Sequence, residues 1–316
     1  IWVKLDDLGL IGLTQKDNGG MLEFYTLVKK LLDLRKIGLV SSYAINEIVV
    51  NLINMFQGKI DESVISEINS GKKKLALCIT EEHAGSDMSS ISTSAVEEEN
   101  YFVLNGKKIL VSNGPVADYF VVAAKTNTKC PAWAGISIFL VDRNLNGVKV
   151  SEPIQKAGVN LMPIGELEFE NVHVSKESLL GRKNRGFEYL ISALQFERTI
   201  ISVVATSMCE KLYYEILSYI KQRNVFDKKL KDYQSTKFQM ASFYSRLKLL
   251  KCYLKELMTD VDDGQFDKNN IIVAKIMSTD LLKEISTYYI QILGGKGYLA
   301  SHWAYNLYNE VRWTGL

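Results

Sequence analysis

The sequence is poor in the residues that build metal sites and disulfide frameworks. Its 316 residues include only three histidines and four cysteines. None of them is arranged as HxH, HxxxH or CxxC, which excludes a histidine metal cluster, a zinc ribbon and a disulfide scaffold. We therefore expect a chain that folds in a reducing compartment and has no structural metal.

The chain also lacks an excess of charge and a long apolar run. Lys and Arg number 38 against 36 Asp and Glu, so the formal net charge of +2 gives no electrostatic case for nucleic-acid binding. No uninterrupted apolar run of about 18 residues occurs, so no membrane span is predicted. With 47% hydrophobic residues, the composition is that of a globular protein with a substantial core.

The hydrophobic pattern divides the chain into three segments. Residues 1–73 have helical periodicity, in two amphipathic stretches that we expect to end at Gly38 and Gly58. Residues 74–177 consist of short alternating or β-branched runs, which predict an antiparallel sheet or barrel. Residues 178–316 return to helical spacing, which predicts an antiparallel helical bundle. The long helices of this bundle are predicted near 186–222, 232–260 and 270–293.

Asn-Gly pairs mark the predicted turns of the sheet. Asn105-Gly106 is the strongest of them, because Asn and Gly accept the positive φ angles of a type I′ hairpin turn. We expect this pair to separate two strands. Asn113-Gly114 and Asn146-Gly147 predict two further turns.

The string LCITEEHAGSD, residues 77–87, leaves a predicted strand and enters a loop. Thr80, Gly85 and Ser86 offer hydroxyl groups and an approachable backbone, which suit a flat polar ligand. A polar turn with Asp87 as a cap explains the same string equally well.

Two later strings are also open to two interpretations. In KQRNVFDKKLKDYQ, Arg223 has the paired donors that hold a diphosphate, but a surface arginine with Phe226 filling a helix junction is the alternative. In QILGGKGY, residues 291–298, three glycines follow a predicted helix. One glycine suffices for a helix cap, so three indicate that another group approaches the backbone closely. The spacing matches neither GxGxxG nor GxxxxGK[ST].

The longest predicted helix carries an acid and a base on its apolar face. Continuing the three-and-four spacing of that face leads to Glu197 and Arg198, in the string LQFERT. Neighbours in sequence do not face each other on a helix, so mutual pairing explains them poorly. An unpartnered buried acid is costly and is usually retained where it has a role, although an acid at the rim of a packed helix is the alternative. The apolar positions of the face are Phe187, Leu190, Ile191, Leu194, Ile201, Ala205, Met208 and Leu212.

In their order and spacing, these strings resemble the acyl-CoA dehydrogenase family across nearly the whole chain. The matching strings are LGLIGLTQKDNGG, ITEEHAGSD, LNGKKILVSNGPVADYFVVAAKT, GISIFLV, RNVFDKKLKDYQ and QILGGKGYLASHWAYNLYNEVR. The resemblance implies an α+β multidomain fold with an amino-terminal helical domain (1–73), a central antiparallel β-barrel-like domain (74–177) and a carboxy-terminal four-helix bundle (178–316). It also implies a further helix before Ile1 and another after Leu316.

The resemblance implies FAD as the cofactor and assigns residues to it position by position. Gly85 and Ser86 match the family's Gly-Ser beside the flavin and the substrate, and Ser112 keeps a hydroxyl beside the ring. Leu110 replaces the usual tryptophan, which predicts a more open flavin pocket. The usual Thr-Glu-Pro is Thr-Glu-Glu at 80–82, which predicts a different loop shape. The implied cofactor-binding set is Leu77, Ile79, Thr80, Gly85, Ser86, Leu110, Ser112, Arg223, Phe226, Gln291, Gly294 and Gly295, of which the last three would reach the FAD of a neighbouring subunit.

The implied reaction is α,β-dehydrogenation of an acyl thioester to its 2,3-enoyl form, in which a carboxylate removes the α-proton and flavin accepts a hydride. Most members carry this base shortly after the segment that reads NEVRWTGL here. A minority, like isovaleryl-CoA dehydrogenase, place it before an arginine on the long helix, as Glu197 precedes Arg198. Glu197 is thus implied as the base, Arg198 as the charge that tunes it, and Ser86 and Phe196 as substrate contacts. A glutamate just after Leu316 would instead make Glu197 a structural acid.

The resemblance also implies partners. They are an acyl thioester on coenzyme A or on a carrier protein, an electron acceptor such as an electron-transfer flavoprotein, and a second copy of the chain in a homodimer or homotetramer. A thioester oxidase of the same fold and an FAD-binding partner protein without dehydrogenase activity are the alternatives. The expected location is the cytoplasm, or the mitochondrial matrix in a eukaryote.

Overall fold

The computed structural model describes residue 5, residues 8–15 and residues 19–315. The chain forms two compact units, each built from segments that are distant in sequence. The predicted three-part division at residues 73 and 177 stays a prediction. The first unit comprises Ile1–Leu13, Ser42–Gln155 and Met162–Phe196, and the second comprises Thr14–Ser41, Lys156–Leu161 and Glu197–Leu316.

Helices occupy both ends of the chain, and the three long helices predicted from periodicity are confirmed. The α-helices whose bounds lie within the described residues are α1 (Met21–Leu32), α2 (Ile37–Asn54), α3 (Glu62–Asn69), α4 (Gly186–Gln222), α5 (Gln234–Asp262), α6 (Lys268–Leu293) and α7 (Leu307–Arg312).

The predicted helix ends at Gly38 and Gly58 are wrong. The first amphipathic helix already ends at Leu32, and α2 begins one residue before Gly38. Gly38 is needed for packing, because a Cβ atom there would lie 2.7 Å from the backbone nitrogen of Leu161 in the same unit. The second helix ends at Asn54, before Gly58, so neither glycine is a cap.

Helix α2 is the most apolar helix of the described chain. It is long and apolar enough to cross a membrane by length and composition, but 83% of its apolar window is buried inside the protein. In the first unit its residues Leu52 and Ile53 belong to one core cluster with Leu75 and Val121 of the sheet. This is the environment of a core helix.

The first unit contains an eight-stranded sheet in the order β6-β7-β3-β2-β4-β5-β8, with β1 paired to β4. Most pairs are antiparallel, but β4 is parallel to both β1 and β2, so the prediction of a purely antiparallel domain is wrong. Parallel neighbours require a crossover, and the chain between β1 and β4 supplies it. Among the described residues, the first and last strands of this order, β6 and β8, do not pair with each other, so no closed barrel is formed by the pairings. The strands are β1 (Leu75–Cys78), β2 (Ser94–Glu97), β3 (Tyr101–Ser112), β4 (Tyr119–Lys125), β5 (Ile136–Asp142), β6 (Val148–Val150), β7 (Ile164–Ser175) and β8 (Leu179–Leu180).

The hairpin predicted at Asn105-Gly106 is wrong, because β3 runs through this pair without interruption. Its register with β7 shifts between Leu104 and Gly106, which is the mark of a β-bulge. A Cβ atom on Gly106 would lie 2.5 Å from Thr93 Oγ1, so the glycine allows a close approach of two backbones. The turns predicted at Asn113-Gly114 and Asn146-Gly147 are confirmed.

The described residues of the second unit are helical apart from one short hairpin. Helices α5 and α6 contact each other, and their buried residues include Leu250 and Leu254 of α5 and Leu282 and Ile285 of α6. The hairpin follows α4 and consists of β9 (Asn224–Val225) and β10 (Lys228–Lys229).

Candidate functional site

A buried ion pair fixes the loop that follows β1. Lys108 Nζ, on β3, donates to Glu81 Oε1 at 2.7 Å and to the Ile79 carbonyl at 3.0 Å. The Lys108 side chain is fully buried and that of Glu81 is 6% exposed. The second carboxylate oxygen of Glu81 accepts from Ser92 N at 2.6 Å and Ser92 Oγ at 2.5 Å, and the first also accepts from Thr93 N at 3.0 Å. Both oxygens of the Glu81 carboxylate therefore accept two hydrogen bonds each.

Sequence reasoning missed this ion pair, although β3 contains a signal for it. Phe102, Leu104 and Lys108 have the same parity, and the first two are buried. Strict alternation would therefore have placed Lys108 on the inner face. Burial raises the pKa of the Glu81 carboxyl, but Lys108 and the hydrogen bonds from Ser92 and Thr93 more than offset this and lower it to about 2.

The predicted flavin-facing residues of β1 and β3 lie close together. The Thr80 carbonyl accepts from Ile109 N at 2.9 Å, which brings Thr80 beside the segment that carries Leu110 and Ser112. Leu110 has a φ of 53° and a side chain that is 58% exposed. It lies in a second bulge of β3, where the register with β7 shifts between Lys108 and Val111. An exposed leucine in the left-handed region is uncommon and is typical of a functional site.

Three of the predicted cofactor-binding residues carry hydroxyl groups. Within the described part of the chain, no hydrogen bond is made by Thr80 Oγ1, Ser86 Oγ or Ser112 Oγ. Gly85 and Ser86 are exposed, and a Cβ atom on Gly85 would meet nothing within 4 Å. Of these groups, Thr80 and Ser112 are the ones that lie on or beside the segment that carries the exposed Leu110 side chain.

Glu81 and Ala84 close the turn that carries this loop. The Glu81 N–H donates to the Ala84 carbonyl at 3.0 Å, and the Ala84 N–H donates to the Glu81 carbonyl at 3.1 Å. Asp87 accepts from Ser89 N at 3.0 Å, so its interpretation as a cap is confirmed. Leu77 and Ile79 are half-buried and pack against the core of the first unit.

Glu197 lies on α4, where it begins the last segment of the second unit, and it is half-buried. Burial raises the pKa of its carboxyl, while the positive charges of Arg198 and Lys275 oppose that rise. Among the residues that the structure describes, none hydrogen-bonds the carboxylate. Lys275 belongs to α6, and sequence reasoning missed it because no pattern links α6 to α4. Phe196, the implied substrate contact, is only 2% exposed.

Arg223 and Phe226 lie in the β9–β10 hairpin and at its edge, and both are exposed. Phe226 has a φ of 50° and is 92% exposed, so the interpretation that it fills a helix junction is wrong. Within the described residues, the Arg223 guanidinium forms no ion pair. It is free to bind an anion from outside the chain.

Gln291, Gly294 and Gly295 lie at the end of α6 and are exposed. Gly294 caps the helix with a φ of 59°, and its N–H donates to the Gln291 carbonyl, so the cap interpretation is confirmed. Gly297 is needed for packing, because a Cβ atom there would lie 2.8 Å from the Ile290 carbonyl oxygen. Gly295 has nothing within 4 Å of the corresponding position, so no neighbour in the described chain requires a glycine there.

Two family models match the chain. Residues 76–172 match the middle domain of acyl-CoA dehydrogenase, and residues 184–315 match its C-terminal domain. The chain belongs to the acyl-CoA dehydrogenase family. Members of this family are FAD-dependent oxidoreductases that act on CH–CH groups, so the predicted family and the predicted cofactor are confirmed at this level.

Known proteins support the same assignment. The mitochondrial long-chain specific acyl-CoA dehydrogenase of Mus musculus is 31% identical over 77% of this chain and 56% of its own length. The caffeyl-CoA reductase–Etf complex subunit of Acetobacterium woodii is 30% identical over 79% of this chain and 66% of its own length. The chain therefore spans little more than half of the mouse relative. The solved butyryl-CoA dehydrogenase of Megasphaera elsdenii has a TM-score of 0.92 at 25% identity, covering 99% of this chain and 84% of that one, which confirms the fold class.

The described residues fit the family's cofactor. The exposed apolar side chain of Leu110 lies on the segment that Thr80 contacts and that carries Ser112, whose hydroxyl groups have no partner among the described residues, which suits a flat ring with a polar rim. Arg223 has the planar, paired donors that bind phosphate oxygens.

Proposed function

We propose that this chain carries out the FAD-dependent α,β-dehydrogenation of an acyl thioester, with Glu197 as the base. The observation that carries the proposal is a half-buried carboxylate on a long helix that has no hydrogen-bond partner among the described residues. An acid that only supports the structure is usually hydrogen-bonded or ion-paired when it is buried, as Glu81 is in the same chain.

The charges around Glu197 suit a general base. The α-proton of a thioester is weakly acidic, so the base works best when its pKa lies closer to the working pH than that of an ordinary glutamate. Burial raises the pKa of Glu197, and the positive charges of Arg198 and Lys275 oppose that rise. In this proposal Arg198 and Lys275 tune the base without contacting the reacting atoms.

FAD, when bound, supplies the acceptor for the hydride that leaves the β-carbon. The chain's own residues bind and orient the two reactants. Thr80, Ser112 and the Gly85 backbone would hold the polar rim of the ring, and Leu110 would lie against its apolar part, with Leu77 and Ile79 supporting the same edge. Ser86 and Phe196 are proposed at the substrate.

Further residues are proposed to bind the diphosphate and adenine of FAD. Arg223 would hold a diphosphate through paired, charge-assisted hydrogen bonds, and Phe226 would stack against the adenine. Gln291, Gly294 and Gly295 would reach the FAD of a neighbouring subunit, which requires a homodimer or a homotetramer. The open space around Gly294 and Gly295 and the 92% exposure of Phe226 support this assignment.

The substrate class proposed is an acyl thioester of coenzyme A, because the names of both relatives above contain acyl-CoA or caffeyl-CoA. A thioester on a carrier protein is the second candidate. The name of the Acetobacterium relative, a subunit of a reductase–Etf complex, supports an electron-transfer flavoprotein as the redox partner. We also propose a location in the cytoplasm, or in the mitochondrial matrix if the source is a eukaryote, as in the mouse relative.

The test is spectroscopic and is done without oxygen. The FAD-loaded protein is mixed with acyl-coenzyme A, with an acyl carrier-protein thioester, or with the corresponding free acid. We expect one thioester to bleach the visible flavin absorbance and to lose two hydrogens, which mass spectrometry detects, while the free acid does neither.

Each outcome separates the candidates. Bleaching by only one of the two thioesters identifies the carrier, and rapid recovery of the colour in air identifies an oxidase of the same fold. Protein that binds FAD but is bleached by neither thioester contradicts the proposed dehydrogenation and supports a binding role.

A further inference from the structure

The Glu81–Lys108 ion pair is a costly feature in the middle of the predicted flavin-facing edge. Two charged groups are buried together, and a pair of apolar residues of similar volume would be about as stable or more stable at such a place. An apolar pair could thus stabilise the sheet as well at this place, although removing only one partner of the ion pair is costly. Its contacts show what else it does.

Lys108 connects the ion pair to the backbone of the loop. Its ammonium group bridges the Glu81 carboxylate and the Ile79 carbonyl, at 2.7 Å and 3.0 Å. The next carbonyl, of Thr80, accepts from Ile109 N at 2.9 Å. Two consecutive carbonyls of the loop thus point toward β3, and rotation of either peptide group would break a hydrogen bond.

The N–H side of the Ile79–Thr80 peptide has no partner among the described residues, whereas the Glu81 N–H of the next peptide donates to the Ala84 carbonyl. With both carbonyls held by β3, the Thr80 N–H and hydroxyl group have no acceptor within the described residues. These donors lie next to Leu110 and Ser112, which the Ile109–Thr80 hydrogen bond brings to the same edge. Lys108 holds the Ile79 carbonyl, and the same peptide group carries the Thr80 N–H. Lys108 therefore sets the direction in which the Thr80 N–H points.

We propose that Lys108 and Glu81 are positioning residues that orient the Thr80 donors toward bound FAD, an inference that rests on the proposed function. Donors held in place before the reaction stabilise negative charge better than donors that must first reorient. The reduced ring carries more electron density than the oxidised ring, so fixed donors at its rim make reduction easier. Loss of the ion pair should therefore make the reduction potential of the bound FAD more negative.

A purely structural role for the ion pair predicts a different result. In that case its removal would lower the melting temperature but would leave the FAD potential unchanged in the protein that remains folded. Single variants remove one charge of the ion pair, and the double variant removes both charges, so the effect of an unpaired charge can be distinguished from the effect of losing the contact with Ile79. The matched control is Lys107→Met, because Lys107 is the adjacent residue on β3 and forms an exposed ion pair with Glu166.

The experiment compares Lys108→Met, Glu81→Gln, the double variant and Lys107→Met in the FAD-loaded protein. The reduction potential is measured by anaerobic equilibration with reference dyes, FAD affinity by flavin fluorescence, and stability by thermal melting. Glu81→Gln keeps the side-chain volume and an acceptor for Ser92 N, so it serves if Lys108→Met does not fold.

We expect Lys108→Met and the double variant to have a more negative potential and to bind FAD roughly tenfold more weakly, the effect of one well-placed hydrogen bond. The double variant should regain most of the melting temperature that Lys108→Met loses, and Lys107→Met should match the wild type in all three measurements. A double variant with wild-type potential and FAD affinity would overturn the proposal. Since dyes reduce the flavin without any thioester, a failure of the dehydrogenase proposal leaves this comparison intact.

Discussion

Ser42 and Asn113 hydrogen-bond each other in both directions. Ser42 Oγ donates to Asn113 Oδ1 at 2.7 Å, and Asn113 Nδ2 donates to the Ser42 carbonyl at 3.0 Å. Asn113 has a φ of 60°, and its N–H donates to the Pro163 carbonyl at 2.7 Å. Because Ser112 directly precedes Asn113, these contacts fix the strand end that is proposed to face the flavin.

Substitution of Asn113 should therefore destabilise the protein. Asn113→Ala removes two buried hydrogen bonds and replaces a residue that tolerates the left-handed region with one that tolerates it less well, so we expect a loss of about 2–3 kcal/mol in urea unfolding. Asn113→Gly relieves the backbone strain and should lose about 1 kcal/mol less. Asn146→Ala, at an exposed turn, is the control and should stay within about 0.5 kcal/mol of the wild type. Equal losses for Ala and Gly would show that backbone conformation is not part of the effect.

Glu197→Gln should abolish the chemistry but not FAD binding. A general base contributes on the order of 10²- to 10⁴-fold in rate, so we expect anaerobic flavin bleaching by the thioester to slow by that factor. Flavin content and the visible spectrum should be unchanged. Glu188→Gln, an exposed acid on the same helix, is the control. Normal bleaching by Glu197→Gln would exclude Glu197 as the base.

The same substitution should stabilise the protein in a pH-dependent way. Because burial raises the pKa of Glu197 above its ordinary value of 4.5, the folded chain binds more protons than the unfolded chain once the pH exceeds that value. The stability of the wild type therefore falls as the pH rises through this window. Glu197→Gln cannot ionise, so its advantage should be absent at pH 4 and grow toward neutral pH, to about 1 kcal/mol at most. Melting curves over this range give the answer, and a pH-independent difference would contradict the raised pKa.

Removal of either nearby cation should move the activity profile to higher pH. Arg198 and Lys275 both lower the pKa of Glu197, so Arg198→Gln and Lys275→Met should raise it. The acidic limb of the kcat/KM profile should then shift toward higher pH in each variant, while kcat at high pH is largely retained. Lys283→Met is a useful comparison, because Lys283 affects Lys275 but forms its own ion pair with Asp280. An unchanged pH profile in both variants would show that Arg198 and Lys275 do not affect the pKa of the base.

Glu81 should contribute stability that disappears in acid. Its pKa is lowered to about 2 in the folded protein, from an ordinary value of 4.5. The stabilisation is thus fully present above 4.5 and is lost as the pH falls toward 2. Glu81→Gln should lower stability at neutral pH by about 3 kcal/mol, because Lys108 is left as a buried charge without its partner, and this difference should shrink below pH 4. Glu82→Gln, at the exposed tip of the same loop, should show neither effect.

The helices and the family were accessible from the sequence because both depend on patterns spread over many residues. The long helices α4, α5 and α6 are predicted by an apolar periodicity that extends over many turns, so a single exceptional residue does not change the prediction. The helix end at Gly38 was not accessible, since that glycine is required by the Val159–Leu161 segment more than a hundred residues away. The hairpin at Asn105-Gly106 failed for a similar reason, because Thr93 rather than a turn requires the glycine.

The site shows the same limit. Glu197 stands out in the sequence because it interrupts an apolar helix face, and burial gives it the raised pKa that such an interruption indicates. Lys275 does not stand out, because it is defined by a partner on another element. Alternation along β3 indicates that Lys108 is buried, but it does not identify Glu81 as its partner. Tertiary contacts between charged side chains leave little trace in a single sequence.

Leu110 lies in a bulge and has no paired residue on β7. Since the register between β3 and β7 already shifts between Lys108 and Val111, the residue at 110 does not have to fit against a cross-strand neighbour. A change of side-chain size there leaves the ladder on either side intact. In the proposed site, position 110 can therefore vary the surface offered to the flavin without disturbing the strands that hold it.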